Sequence, residues 1–127
     1  MKKILLVCVL MLSALCSVSA EERFVGEYYG SGYYAEVDDI TLTDEYLVTK
    51  ISVKKPYYNR LIEENIRFHR LNRTYELLRV RLYNYNPREL LEDRKVSNVP
   101  LPILAGSPYE AVMNFVIAWQ ERTESDI

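Results

Sequence analysis

The sequence predicts an α+β fold: an antiparallel β-sheet with one C-terminal amphipathic helix packed on one face. Three observations predict it. Apolar and polar residues alternate over 46–54 and 74–84, the period of a strand with one buried face. Turn-forming clusters such as Gly30-Ser31-Gly32 and Asn84-Tyr85-Asn86-Pro87 separate the alternating runs. A single stretch near the C-terminus switches to helical spacing behind a complete set of helix-start residues.

Phe24 to Tyr29 reads as a first strand, Gly30-Ser31-Gly32 as a turn, and Tyr33 to Val37 as the hairpin partner. Tyr33, Ala35 and Val37 share one face of that partner, with Tyr34 and Glu36 on the other. Asp38-Asp39 ends it, because aspartate carboxylates bond nearby backbone amides in turns. A link through Thr43-Asp44-Glu45 leads to the 46–54 strand, where Leu47, Thr49, Ile51 and Val53 line one face and Lys50, Ser52 and Lys54 the other. The segment Pro56-Tyr57-Tyr58-Asn59-Arg60 is a loop, and residues 65–71 alternate again with Ile66 and Phe68 on one side and Arg67 and His69 on the other. After a turn at Asn72-Arg73, the strand 74–84 is expected to point Leu78, Val80 and Leu82 to the core and Arg79, Arg81 and Tyr83 outwards. Residues 89–95 fit either a strand carrying Leu91 or a helical turn. Ser107-Pro108-Tyr109-Glu110 then combines an N-cap Ser, a Pro at the first helical position and a Glu at the third, whose carboxylate is expected to reach back to the cap's own amide. Tyr109, Val112, Phe115, Val116 and Trp119 form the apolar face of a helix running to about Arg122.

The start of the chain predicts export. Met1-Lys2-Lys3, the apolar run 4–12, the small residues Ser17-Val18-Ser19-Ala20 and the switch at Glu21-Glu22 make a secretory signal peptide over 1–20, cleaved after Ala20. Two rivals fit less well. The 17 uncharged residues of 4–20 lie at the bottom of the roughly 17–25 needed to span a bilayer, and lipidation at Cys16 would want a small residue where Leu15 stands. Removing 20 of 127 residues leaves 107, one binding domain over 21–127, with no transmembrane span after cleavage. Both cysteines, Cys8 and Cys16, leave with the leader, so packing rather than disulfides must hold the domain. Losing Lys2 and Lys3 reduces the 16 basic residues to 14 against 18 acidic, a net charge of −4, which disfavours nucleic acid as a partner.

Catalytic and metal signatures do not emerge from the sequence. His69 is the one histidine, so neither a His cluster nor a Ser-His-Asp set can be assembled. Asp38, Asp39, Asp44 and Glu45 lack the ordered ligand loop of a calcium site and read as turn and cap residues. The expectation is therefore a protein that is not an enzyme and needs no cofactor. The candidate ligand-binding residues are Arg67, His69, Arg79 and Arg81, on the polar faces of two strands expected to pair, with Tyr83 and Tyr85. Such a basic, aromatic patch suits a polyanion, an acidic protein surface or a flat anionic ligand such as haem. The competing reading is a solvated face whose arginines pair with Glu76 and other carboxylates.

Two stretches resemble the surface-adhesin protein E group of small exported bacterial proteins. One is Tyr33-Tyr34-Ala35-Glu36-Val37-Asp38 ahead of an Ile-Thr pair. The other is Tyr75-Glu76-Leu77-Leu78 through Leu82-Tyr83, continuing to Val99-Pro100-Leu101-Pro102-Ile103 and Ser107-Pro108-Tyr109-Glu110-Ala111. The resemblance implies a sheet backed by one helix, exposure in the bacterial envelope or at the cell surface, and non-enzymatic binding of host matrix proteins or haem. A homodimer formed through the sheet is compatible with such a fold. The chain departs from the group in lacking a good lipobox and a cysteine pair in the domain. Alternative readings are a soluble periplasmic accessory protein that binds an envelope component, and a secreted inhibitor using the loop 56–60.

Overall fold

A computed structural model describes residues 21–96 and 99–125. The leader expected over 1–20, with Cys8 and Cys16, lies outside the described residues. The described chain forms β1 (Glu22–Tyr28), β2 (Ser31–Glu36), β3 (Thr41–Leu42), β4 (Tyr46–Lys55), β5 (Arg60–His69), β6 (Thr74–Asn84), β7 (Glu89–Lys95), β8 (Leu101–Pro102) and one helix, α1 (Pro108–Ser125). The predicted α+β architecture is observed. All strand pairs are antiparallel in the order β1-β2-β4-β5-β6-β7, with β3 beside β2 on one edge of β4 and β8 beside β7 on one edge of β6.

The alternation of β4 sets the two faces. Leu47, Thr49, Ile51 and Val53 are buried, and across the β5 ladder they meet Phe68, Ile66, Glu64 and Ile62. Helix α1 covers this inner face, placing Val112, Met113 and Val116 on Ala35, Leu47, Ile51, Ile66 and Phe68. Each such side chain, once fully buried, contributes about 1.5–3 kcal/mol of apolar burial. One carboxylate stands among them: Glu64 is only 7% exposed and accepts a hydrogen bond from the Tyr109 hydroxyl at 2.9 Å. The other face of β4 and β5 is polar: Lys50, Lys54 and Arg67 are partly exposed there, while Ser52 and Glu63 are buried beneath neighbouring side chains.

The ends of α1 are anchored individually. The Ser107 hydroxyl accepts the Glu110 amide at 3.3 Å, as the N-cap pattern requires. The Glu110 carboxylate takes the amide of Gly106 rather than that of the cap residue, and also pairs with Arg73 at 2.7 Å. Near the other end, the Gln120 side chain donates to the Val37 carbonyl and the Arg23 guanidinium lies 4.9 Å over the Trp119 ring.

Several expectations need correction. The first hairpin turns on Tyr29-Gly30, not on Gly30-Ser31-Gly32: both residues have positive φ (54° and 79°), the geometry of a two-residue turn matched to strand twist. Strand β5 begins at Arg60, five residues before the expected run, because Glu63 and Glu64 both belong to the ladder and mask its alternation. A bulge between Asn65 and Ile66 pairs Asn65 with Arg79 but Ile66 with Leu77, so Leu78 has no opposite residue. Tyr75 and Leu77, not Leu78, therefore pack against the core. Residues 89–95 are strand β7, and α1 runs past Arg122.

Candidate functional site

The outer face of β5 and β6 carries most of the residues nominated from the sequence. Register pairs Asn65 with Arg79, Glu63 with Arg81 and Leu61 with Tyr83, so Arg67, His69, Arg79, Arg81 and Tyr83 share that face. They do not form one basic patch. Arg79 grips Asp93 of β7 with two hydrogen bonds of 2.7 and 2.8 Å, and Arg81 stands 3.5 Å from the same carboxylate. The Arg79 hydrogen bond outweighs desolvation and holds the Asp93 carboxyl below its ordinary pKa. Arg67, at 4.0 Å, and His69, in hydrogen-bond contact, converge on Glu76. Tyr83 lies under the Arg88 guanidinium at 4.9 Å. Its phenol is pushed up by burial and by the Glu63 carboxylate that it bonds. Tyr85, in the β6–β7 turn, opens onto a different hollow.

That hollow is a groove of about 310 Å³ on the same face, at the end of the sheet where three turns meet. Its aromatic walls are Phe24, Tyr34, Tyr57 and Tyr85, with Lys54 between them. The Lys54 ammonium stands 3.9 Å over the Tyr34 ring, and Phe24 meets that ring edge-on at 5.3 Å. Gly32 keeps the floor open, since a Cβ there would fall 3.2 Å from the Tyr34 ring. Backbone geometry explains why Tyr57 and Tyr85 line one hollow. Pro56–Tyr58 form one turn of 3-10 helix ending at Asn59, whose left-handed φ of 52° suits asparagine. The Asn59 carbonyl accepts the Tyr85 amide at 3.1 Å and its side chain accepts the Asn86 amide at 2.8 Å. The β4–β5 turn is thereby pinned to the β6–β7 turn. Tyr57 is 90% exposed, Phe24 54% and Tyr85 41%.

Of the groove residues, the sequence nominates Tyr85 for the ligand patch, and Pro56 and Tyr57 only as part of the alternative contact loop 56–60. Phe24, Tyr34, Lys54 and Tyr57 come from three separate strands and a turn, and only the strand order brings them together. Their shared signal is aromatic richness, which equally describes strands that pack against a core.

The remaining clusters have structural roles. The Asp38 carboxylate accepts the amides of Glu21 and Asp39, and the Thr43 hydroxyl accepts those of Glu45 and Tyr46. Among the described residues no group of three His, Cys, Asp or Glu is placed to hold a metal ion. His69 borders a hollow of about 80 Å³, with Glu45, Tyr46, Leu71 and Asn72 as its other walls. That space is well below the roughly 300–1,000 Å³ of small-molecule sites. No described helix is long and apolar enough to cross a membrane. Comparison with family models, curated proteins and solved structures finds no match for the chain.

Proposed function

We propose that the chain is an exported, non-enzymatic binding protein of the bacterial envelope or surface, engaging a protein partner through the aromatic groove on the outer face of its sheet. The observation that carries this reading is the exposure of Phe24, Tyr57 and Tyr85 around Lys54, with the two turns that carry the tyrosines held together through Asn59. Rigid aromatic side chains give up little conformational entropy when they are covered. Tyrosine accordingly anchors many protein interfaces, with its ring buried and its hydroxyl bonded. The motif resemblance to adhesin-like proteins points the same way.

A protein partner fits better than haem. The arginines that would meet its carboxylates already hold Asp93 and Glu76. A ligand with two anionic arms would have to displace those partners before it gained anything.

The test joins location to binding. Protease shaving of intact cells should release peptides of the chain, and immobilised matrix proteins should retain the purified protein. Tyr57→Ala with Tyr85→Ala should weaken retention about tenfold or more, the loss expected when interface anchors are removed, with the melting temperature nearly unchanged. Equal binding by the double variant would remove the groove from the reading. Peptides released only after the envelope is opened would leave the periplasmic accessory role.

A further inference from the structure

On the inner face, beyond the start of α1, four tyrosines surround a second hollow of about 330 Å³: Tyr29 from the first hairpin turn, Tyr33 from β2, Tyr75 from β6 and Tyr109 from α1. Pro102, Leu104 and the Ser107-Pro108 start of α1 complete its lining. Tyr75 and Tyr109 pack ring against ring at 4.4 Å, and behind them lies Glu64, whose carboxylate takes the Tyr109 hydroxyl at 2.9 and 3.2 Å. Among the described residues Tyr109 donates to Glu64, and Lys55 of β4 is a cation that acts on it from further off. We infer that this hollow is an aromatic cage for a quaternary ammonium group, carried by a free solute such as choline or by a phosphocholine headgroup.

The chemistry follows from the walls. The faces of tyrosine rings are electron-rich, and several converging on one space attract a cation without hydrogen-bonding it. A primary ammonium needs acceptors for three N–H groups, whereas these walls are mostly ring and aliphatic carbon. A trimethylammonium group needs only the ring faces and a negative charge nearby. Glu64 supplies that charge, and its effect reaches the Tyr33, Tyr75 and Tyr109 phenols, which burial and this carboxylate together push up. The ring faces and Glu64 would both repel an anion, with the more distant Lys55 alone acting in its favour.

Tyr29 adds an independent observation. It is 99% exposed and stands at φ 54°, a left-handed conformation that is strained for a residue with a side chain. Its ring gains almost no burial in return, so packing does not explain a tyrosine at this position. A ring at the mouth of the cage does.

The experiment titrates the purified protein with choline chloride while following backbone amide shifts by NMR. A parallel titration uses 3,3-dimethylbutan-1-ol, the neutral isostere. Choline should shift residues 29, 33, 75 and 109, and the isostere should bind about tenfold more weakly. Tyr75→Leu and Glu64→Gln should each weaken choline about tenfold. Tyr29→Gly should weaken it while leaving stability equal or higher, which separates loss of the cage from loss of the fold. Affinity should fall as acid protonates Glu64. Sedimentation with phosphatidylcholine but not phosphatidylglycerol vesicles would assign the headgroup as the source; choline binding without vesicle binding would assign the free solute. Equal affinity for the isostere, shifts that map elsewhere, or a folded Tyr75→Leu protein that binds choline normally would each overturn the inference.

Discussion

Lys50 Nζ stands 3.3 Å from Glu36 and 3.3 Å from Glu63, so one ammonium on β4 serves carboxylates from the strands on either side. Burial opposes its charge, and the two carboxylates outweigh that opposition and hold its pKa above the ordinary lysine value. Both carboxylates are less than a tenth exposed, so removing the lysine leaves two like charges facing each other in poor solvent. Lys50→Met should therefore destabilise the fold by about 2 kcal/mol, below the roughly 3–5 kcal/mol of a fully buried pair because Lys50 itself is partly wet and Glu63 keeps Arg88 at 3.6 Å. Urea unfolding with an unchanged slope would read it.

Glu64 should make the protein less stable as pH rises out of the acid range. Burial raises its folded pKa, against the Tyr109 hydrogen bond and Lys55, so the folded state holds its proton more tightly than the unfolded chain. Stability from this group is present below the ordinary glutamate pKa and is lost as pH rises through the higher folded value. Glu64→Gln should remove that loss and raise the melting temperature at pH 7 more than at pH 4. Thermal scans of both proteins across that range would show whether the difference closes in acid.

Ser107 contributes one hydroxyl to the start of α1. Ser107→Ala leaves the Glu110 amide without its acceptor and should cost about 1 kcal/mol. Calorimetry of the purified variant would measure it. The Arg73–Glu110 pair, with a half-exposed arginine, should contribute less when truncated.

Arg79→Glu with Arg81→Glu is a test of β7 before it is a test of any ligand. Both arginines hold Asp93, and the substitutions set three carboxylates together at the β6–β7 ladder. Hydrogen exchange should accelerate across Glu89–Lys95 while the β4–β5 ladder stays protected. Lost ligand binding in that variant would implicate the arginines only if β7 protection is retained.

How legible these features were depended on whether a single strand carried them. The faces of β4 and the start of α1 could be read directly, because alternation and capping are local. Leu78 was misassigned because a bulge is defined by two strands, and its count shows in neither sequence alone. The first half of β5 was overlooked because Glu64 is an acid at a core position. Its partner, Tyr109, lies 45 residues further on. The groove and the tyrosine cage are assembled from turns and strands far apart in the chain, so composition announced their material but not their place.

The last strand on each side of the sheet has a bearing on how copies of the protein behave at high concentration. Strand β7 reads Glu-Leu-Leu-Glu-Asp-Arg-Lys and is exposed throughout, while β1 is interrupted by a bulge between Phe24 and Gly26. Adding a further strand to either side would bring charged side chains or an irregular register against it. Both outer strands are thus poor templates for a strand from a second copy, which works against edge-to-edge growth.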